Sequence, residues 1–202
     1  MIDKEKILQE VEQYIKQTFL EEGTGHDYFH IERVVINARK IVEKEDADSF
    51  LVELAAWVHD IGDYKLHGGV DKSEELITAY LKTLDLDDEL IVKINEIVSQ
   101  VSFSKGNAPT SIEAKIVQDA DRLDAIGAVG IARCFAYGGS VGSILFNPLD
   151  RSENNSSIQH FYDKLFKLKD LMHTETAKKI AEERHEYMKG FVQQFYREVN
   201  VL

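Results

Sequence analysis

Apolar residues recur every three to four positions along most of the chain, which is the period of a helix that buries one face. No segment shows the strict alternation of apolar and polar residues that is typical of a half-buried strand. The pattern therefore predicts an all-α protein. Helices are expected over about residues 3–21, from 28 onward, over 49–61 with Ser49 as the cap, around 76–84 and 90–101, over 111–123, from 127 to 137, over 157–172 and over 175–199.

The domain organisation follows from length and composition. The 202 residues contain no stretch of Pro, Gly and Ser that would link two cores, and 44% of them are hydrophobic. We therefore expect a single domain over residues 1–202. Residues 138–156 combine three glycines and a proline with several Asn and Ser residues, so a long loop is predicted there. Loops of this length often act as lids over a binding site.

The net charge of −12 argues against a protein that grips nucleic acid, because binding to the backbone requires a basic surface. A small phosphorylated partner is compatible with this charge, since a bound cation reverses the potential within a pocket. The single cysteine, Cys134, and the polar start of the chain predict a cytoplasmic protein. No window approaches the ~20 apolar residues of a membrane span. We consider a homodimer besides a monomer.

Four ionisable residues stand on or beside the helix faces that the pattern buries: His30, His59, Asp60 and Asp121. Singly, each has an ordinary explanation, such as a core histidine bonded to a carbonyl group or a carboxylate paired with a distant basic side chain. Together they would be costly to bury without a cation. Mixed nitrogen and oxygen ligands suit Mn²⁺, Fe²⁺, Co²⁺, Ni²⁺ or Zn²⁺. The pattern favours a metal centre, and a scaffold with these groups in its core is the alternative.

Three segments contain these residues: HIERV at 30–34, AAWVHD at 55–60 and DADRLD at 119–124. In this order they resemble the HD superfamily of metal-dependent phosphohydrolases, particularly its small single-domain bacterial members, and the similarity extends over nearly the whole chain. The resemblance implies that His30, His59, Asp60 and Asp121 hold one divalent ion, with Mn²⁺, Co²⁺, Ni²⁺, Fe²⁺ or Mg²⁺ as candidates.

The resemblance also suggests residues that act beside the ion. This family often has an acidic residue three positions after the His-Asp pair, which makes Asp63 the candidate general base. A carboxylate that stabilises the turn at Gly62 is the alternative. Lys65, in the same loop, is the candidate that holds a phosphate oxygen during catalysis. Substrate contacts are expected from His26, Arg122, His160 and Lys164, with Lys105 and Arg151 as further candidate cations.

Residues near the start of the second helix have competing interpretations. Asp27 is placed to cap this helix. His26 either contacts substrate or supports a metal ligand. His67 could join a second metal site, but the further histidines that such sites use are not apparent, so one ion is expected. The candidate walls for a nucleobase are Tyr28, Phe29, Tyr64, Phe103 and Tyr137.

The function that the resemblance implies is hydrolysis of a nucleotide or deoxynucleotide by water activated at the ion. Either phosphate or pyrophosphate would leave, and the sequence does not choose between them or select a base. A non-catalytic module that senses a nucleotide or a metal is the alternative.

Overall fold

The computed structural model describes residues 3–22, 25–101, 108–147 and 156–199, and this part of the chain is all-α, as predicted, with no strand. Its α-helices are α1 Lys4–Phe19, α2 Tyr28–Val42, α3 Ser49–Val58, α4 Ser73–Lys82, α5 Asp88–Ser99, α6 Ile112–Asp124, α7 Gly127–Ser140, α8 Ser157–Asp163 and α9 Glu175–Glu198. A 3₁₀ helix spans Leu165–Leu171. None of the described helices combines the length and the apolar character that crossing a bilayer requires.

The chain divides into two compact units, Met1–Asp121 and Arg122–Leu202. In the first unit, α3 packs against α1, α2 and α5, while α4 packs against α5. Seven of the ten residues of α3 are buried, so this helix is apolar on nearly every side, as a helix surrounded by others must be. The amide of Asn37 on α2 donates to the carbonyl of Ala120 on α6 at 3.3 Å.

Both ends of α3 differ from the prediction. The cap is Asp48 and not Ser49, because an Asp48 carboxylate oxygen accepts from the main-chain N–H groups of Phe50 at 2.9 Å and Leu51 at 3.2 Å. The helix ends at Val58, three residues before the predicted end. The chain then turns towards Gly62, whose φ of +81° lies in the left-handed region. Residues that have a Cβ atom rarely adopt this conformation.

The second unit contains α7, α8, the 3₁₀ helix and α9, and α9 packs against both α7 and the 3₁₀ helix. The predicted helix over 157–172 is wrong as a continuous element, because the chain leaves helical geometry at Lys164. Residues five apart on an α-helix point about 140° apart. The break allows the rings of Phe161 and Phe166 to meet at 5.9 Å, within an aromatic cluster that includes Phe191.

The loop predicted over 138–156 begins later than expected, because α7 continues through Ser140. Residues 141–147 follow as turn and coil, and 148–155 lie outside the described residues. After this gap the main-chain N–H of Ser157 donates to the carbonyl of Ile144 at 2.9 Å. The first part of the predicted loop is therefore helical.

Candidate metal centre

The start of α2 positions His30. Asp27 caps this helix, as predicted, and its carboxylate accepts from the main-chain N–H of His30 at 2.7 Å. The side chain of His30 then points into the first unit and is 1% exposed. Its Nε2 lies 3.4 Å from Oδ2 of Asp60 and 3.5 Å from Oδ1 of Asp121. His30 therefore stands between the two carboxylates.

The end of α3 positions His59. Its Nδ1 lies 2.8 Å from the carbonyl oxygen of Ala56, one turn earlier. A carbonyl oxygen only accepts, so Nδ1 carries the hydrogen and, in the neutral ring, Nε2 carries the lone pair. This Nε2 is buried, has no hydrogen-bond partner among the described residues, and lies 3.4 Å from Oδ1 of Asp60. A lone pair directed inward in this way is what a metal ligand presents.

Asp60 follows the helix end and is 4% exposed. Its Oδ2 accepts a hydrogen bond from Nδ1 of His26 at 2.8 Å. Burial opposes ionisation of this carboxyl group, but the neighbouring rings of His59, His26 and His30 outweigh it and hold the pKa of Asp60 well below its usual range. Asp60 is therefore a carboxylate, the form that binds cations.

Asp121, on α6, is more accessible than the sequence suggested, since 34% of its side chain is exposed. The predicted alternative was a salt bridge to a distant basic side chain. Within the described part of the chain its ion-pair partner is His30, and no lysine or arginine pairs with it. Asp121 therefore reaches the cluster from the solvent side without a cation of its own.

The spacing of these groups fits a metal ion. Two ligands that each lie ~2.1 Å from one ion are about 3.0 Å apart at right angles and about 3.4 Å apart at the tetrahedral angle. The contacts of 3.4–3.5 Å among these nitrogen and oxygen atoms are close to that range. Donor atoms of His30, His59 and Asp121 all lie within 4.8 Å of one another, as do those of His26, His30 and Asp60. Together with the buried lone pair of His59, this arrangement suits a divalent cation.

The loop after Asp60 contains the predicted base and lysine. One carboxylate oxygen of Asp63 accepts from the main-chain N–H of Lys65 at 2.9 Å, and the N–H of Asp63 donates to the carbonyl of Asp60 at 3.2 Å. Asp63 thus stabilises a turn, which was the predicted alternative to a catalytic role. Only one of its oxygens is engaged in that contact, so the turn and a role as base are compatible.

The side chain of Lys65 contacts His26, and not Asp63. Its Nζ lies 3.1 Å from Nε2 of His26, whose other ring nitrogen contacts Asp60. The sequence predicts His26 as a substrate contact or a support for a ligand, and Lys65 as a separate cation. Nothing in the helical pattern places these two side chains together, because residues 26 and 65 lie in different loops.

Three predicted substrate contacts belong to the second unit. A guanidinium nitrogen of Arg122 donates to the carbonyl of Leu171 and lies 3.1 Å from Nε2 of His173. His160 and Lys164 are exposed, and the main-chain N–H of Lys164 donates to the carbonyl of His160 at 3.0 Å. Their roles stay predictions.

The other candidates vary in exposure. Lys105, Arg151 and Phe103 lie outside the described residues. Tyr28 is 3% exposed and donates to Glu32 at 3.0 Å, so its ring belongs to the core. Phe29 and Tyr137 are exposed and Tyr64 is half-buried.

Comparison with known proteins identifies the family and several relatives. The family model described as the HD domain matches residues 27–126, a range that contains His30, His59, Asp60 and Asp121. YpgQ of Bacillus subtilis is 40% identical over 198 residues, which is 96% of this chain and 94% of the relative.

Solved structures agree with this assignment. The crystal structure of YpgQ in complex with ADP has a TM-score of 0.85 at 39% identity and covers 98% of this chain and 97% of its own. An HD-superfamily hydrolase from Bacillus thuringiensis has a TM-score of 0.82 at 40% identity, with 98% and 100% covered. The Lin1889 protein of Listeria innocua has a TM-score of 0.83 at 39% identity, with 100% and 99% covered.

Proposed function

Because this chain belongs to the HD-domain family, we propose that it is a divalent-metal-dependent phosphohydrolase that acts on a nucleotide or deoxynucleotide. The observation that carries the proposal is the imidazole of His59. Its Nδ1 is fixed by the carbonyl of Ala56, and its bare Nε2 is buried beside the ionised carboxylate of Asp60. A core histidine in a scaffold would have little reason to keep a lone pair buried without a donor.

The proposed ligands of the single ion are His30, His59, Asp60 and Asp121, which the first unit brings together. Neutral imidazoles and carboxylates suit Mn²⁺, Co²⁺, Ni²⁺ or Fe²⁺, and Mg²⁺ is the candidate that depends most on the carboxylates. When bound, such a cation polarises a phosphoryl group and makes water a stronger nucleophile at neutral pH.

Asp63 and Lys65 supply the remaining chemistry in this proposal. The attacking water forms a bond to phosphorus and passes a proton to the carboxylate oxygen of Asp63 that lies outside the turn. The bond from phosphorus to the leaving oxygen breaks, and the leaving group keeps the electron pair. The ammonium group of Lys65 offsets negative charge on the non-bridging oxygens.

The nucleotide substrate is proposed from two observations. The related protein YpgQ has been crystallised with ADP, so a close relative binds a nucleotide. The cluster presents cation ligands next to a lysine, which suits a phosphate chain. Cleavage of a nucleoside triphosphate to a monophosphate and pyrophosphate is one form of the reaction, and loss of a terminal phosphate is the other.

We retain His160 and Lys164 as proposed phosphate contacts. Arg122 would have to exchange its contacts with Leu171 and His173 to bind a substrate. The single domain, the homodimer and the cytoplasmic location stay predictions.

The test is a panel of ribo- and deoxyribonucleotides incubated with chelator-treated protein and added Mn²⁺, Co²⁺ or Mg²⁺. Phosphate and pyrophosphate are measured separately, which distinguishes the two reactions. The variant expected to be inactive is the double substitution His59→Ala, Asp60→Ala. The matched control is Lys93→Gln, since Lys93 lies on the exposed side of α5 and pairs with Glu89 at 2.8 Å.

We expect metal-dependent release of one product by the wild type and by Lys93→Gln, and none by the double variant. Turnover that survives in the double variant would exclude this site. Metal binding without turnover of any nucleotide would favour the alternative, a non-catalytic module that senses a nucleotide or a metal.

A further inference from the structure

His26 makes two polar contacts from a single ring. It lies in the turn before α2, and 15% of its side chain is exposed. Its Nδ1 contacts Oδ2 of Asp60 at 2.8 Å, and its Nε2 contacts Nζ of Lys65 at 3.1 Å. The ring thus connects a proposed ligand to Lys65, which lies in the loop between α3 and α4.

The chemistry of the two partners assigns the hydrogen on this ring. A lysine ammonium group only donates, so Nε2 of His26 accepts, and a carboxylate only accepts, so Nδ1 donates to Asp60. Both nitrogens are therefore in use. This is the reverse of His59, whose Nδ1 is satisfied and whose Nε2 is bare. His26 is consequently suited to hold other groups and not to bind the ion.

Each contact of His26 restricts a neighbour. With Oδ2 of Asp60 held by His26, Oδ1 of the same carboxylate stays 3.4 Å from Nε2 of His59. Lys65 is exposed and has a flexible side chain, so without a contact its ammonium group would sample many positions. The contact with His26 keeps that charge next to the cluster before any substrate arrives.

We propose that His26 is a positioning residue that orients Asp60 for the ion and holds Lys65 beside it. This inference rests on the proposed metal site, and it assigns His26 a role in place of direct contact with substrate. It separates two effects, one on the affinity for metal and one on the affinity for phosphate.

Two substitutions separate these effects because each amide replaces one ring nitrogen. In His26→Asn the side-chain nitrogen can take the place of Nδ1 and donate to Asp60, but nothing reaches Lys65. In His26→Gln the side-chain oxygen can take the place of Nε2 and accept from Lys65, but the donor to Asp60 is lost. Lys65→Met removes the ammonium group itself and serves as the comparison for His26→Asn. His67→Asn is the control for an unrelated histidine, because His67 lies in the same loop as Lys65.

The experiment measures the dissociation constant of Mn²⁺ alone by calorimetry, and then that of inorganic phosphate for the Mn²⁺-loaded protein. Thermal unfolding checks that each variant is folded. We expect His26→Gln to bind Mn²⁺ ~10–100-fold more weakly than the wild type, the usual effect of losing a hydrogen bond to a ligand. His26→Asn and Lys65→Met should keep the affinity for Mn²⁺ and weaken the binding of phosphate by a similar factor. His67→Asn should change neither.

Equal Mn²⁺ affinity in His26→Gln and the wild type would overturn the role at Asp60. Phosphate binding by His26→Asn at wild-type strength would overturn the role at Lys65. Neither readout needs turnover, so a wild type that binds Mn²⁺ but hydrolyses nothing would contradict the proposed reaction and leave this test intact.

Discussion

Nδ1 of His59 donates to the carbonyl of Ala56 at 2.8 Å, one turn earlier at the end of α3. Because α3 ends at Val58, His59 is the first residue after the helix, and its hydrogen bond to Ala56 fixes the orientation of its ring. The same contact decides which nitrogen faces Asp60. A backbone hydrogen bond within one helix end therefore prepares the ligand that defines the candidate site.

The role of Asp63 can be separated from its turn by an isosteric change. In Asp63→Asn the amide oxygen still accepts from the N–H of Lys65, but the side chain can no longer take a proton. We expect kcat to fall ~10²–10⁴-fold with Mn²⁺ affinity unchanged, as for loss of a general base. Steady-state kinetics with the best nucleotide of the panel measures this. If Asp63→Asn had the same kcat as the wild type, Asp63 would only stabilise the turn.

The backbone conformation at Gly62 predicts that an alanine at this position lowers the free energy of unfolding. A Cβ added there would lie 2.5 Å from the carbonyl carbon of Lys72, and φ is +81°. Gly69 is the matched control, because its φ is +91° and a Cβ would meet nothing within 4 Å. Gly69→Ala should reduce the free energy of unfolding by about 1–2 kcal/mol through backbone strain alone.

Gly62→Ala should cost more than Gly69→Ala, because the main chain at Lys72 must also move. Urea denaturation of the two variants makes the comparison. Equal losses would mean that the loop accommodates the methyl group.

The cap of α2 gives a prediction about stability. Asp27→Ala removes the acceptor for the N–H of His30 and should reduce the free energy of unfolding by about 1 kcal/mol. Asp27→Asn keeps a capping oxygen and should remain close to the wild type. Urea denaturation of the metal-free proteins avoids any effect of the ion. An alanine variant as stable as the asparagine variant would contradict the assignment of the cap.

Cys134 gives a prediction about pH. Burial raises the pKa of its thiol to about 11, and the thiol donates to the carbonyl of Ser157 at 3.4 Å. Since the thiolate is the reactive form, iodoacetamide should modify the native protein roughly a hundredfold more slowly at pH 8 than the urea-unfolded chain. The native rate should keep rising towards pH 11, where the unfolded chain has already levelled off. Coinciding pH profiles would refute this.

The helices were predictable because each buries an apolar stripe that the 3.6-residue period reveals. The break at Lys164 was not, since no Gly or Pro marks it and it accompanies the packing of Phe161 against Phe166, two residues that a continuous α-helix would point apart. Asp48 and Ser49 are both residue types that often cap helices, so which of them caps α3 depends on the backbone conformation where the helix begins.

The candidate ligands were predictable in part for a different reason. Spacing placed His30 and His59 on buried faces, and the resemblance selected them as ligands. The exposure of Asp121 and the double contact of His26 depend on how separate loops and helices meet, which periodicity does not encode.

We propose above all that His30, His59, Asp60 and Asp121 hold one divalent ion. Titration of chelator-treated protein with Mn²⁺ in a calorimeter tests it most directly. We expect one ion per chain for the wild type and no measurable binding for the His59→Ala, Asp60→Ala variant, with Lys93→Gln equal to the wild type. A wild type that binds no ion, or a double variant that binds Mn²⁺ with the same stoichiometry and affinity, would contradict it.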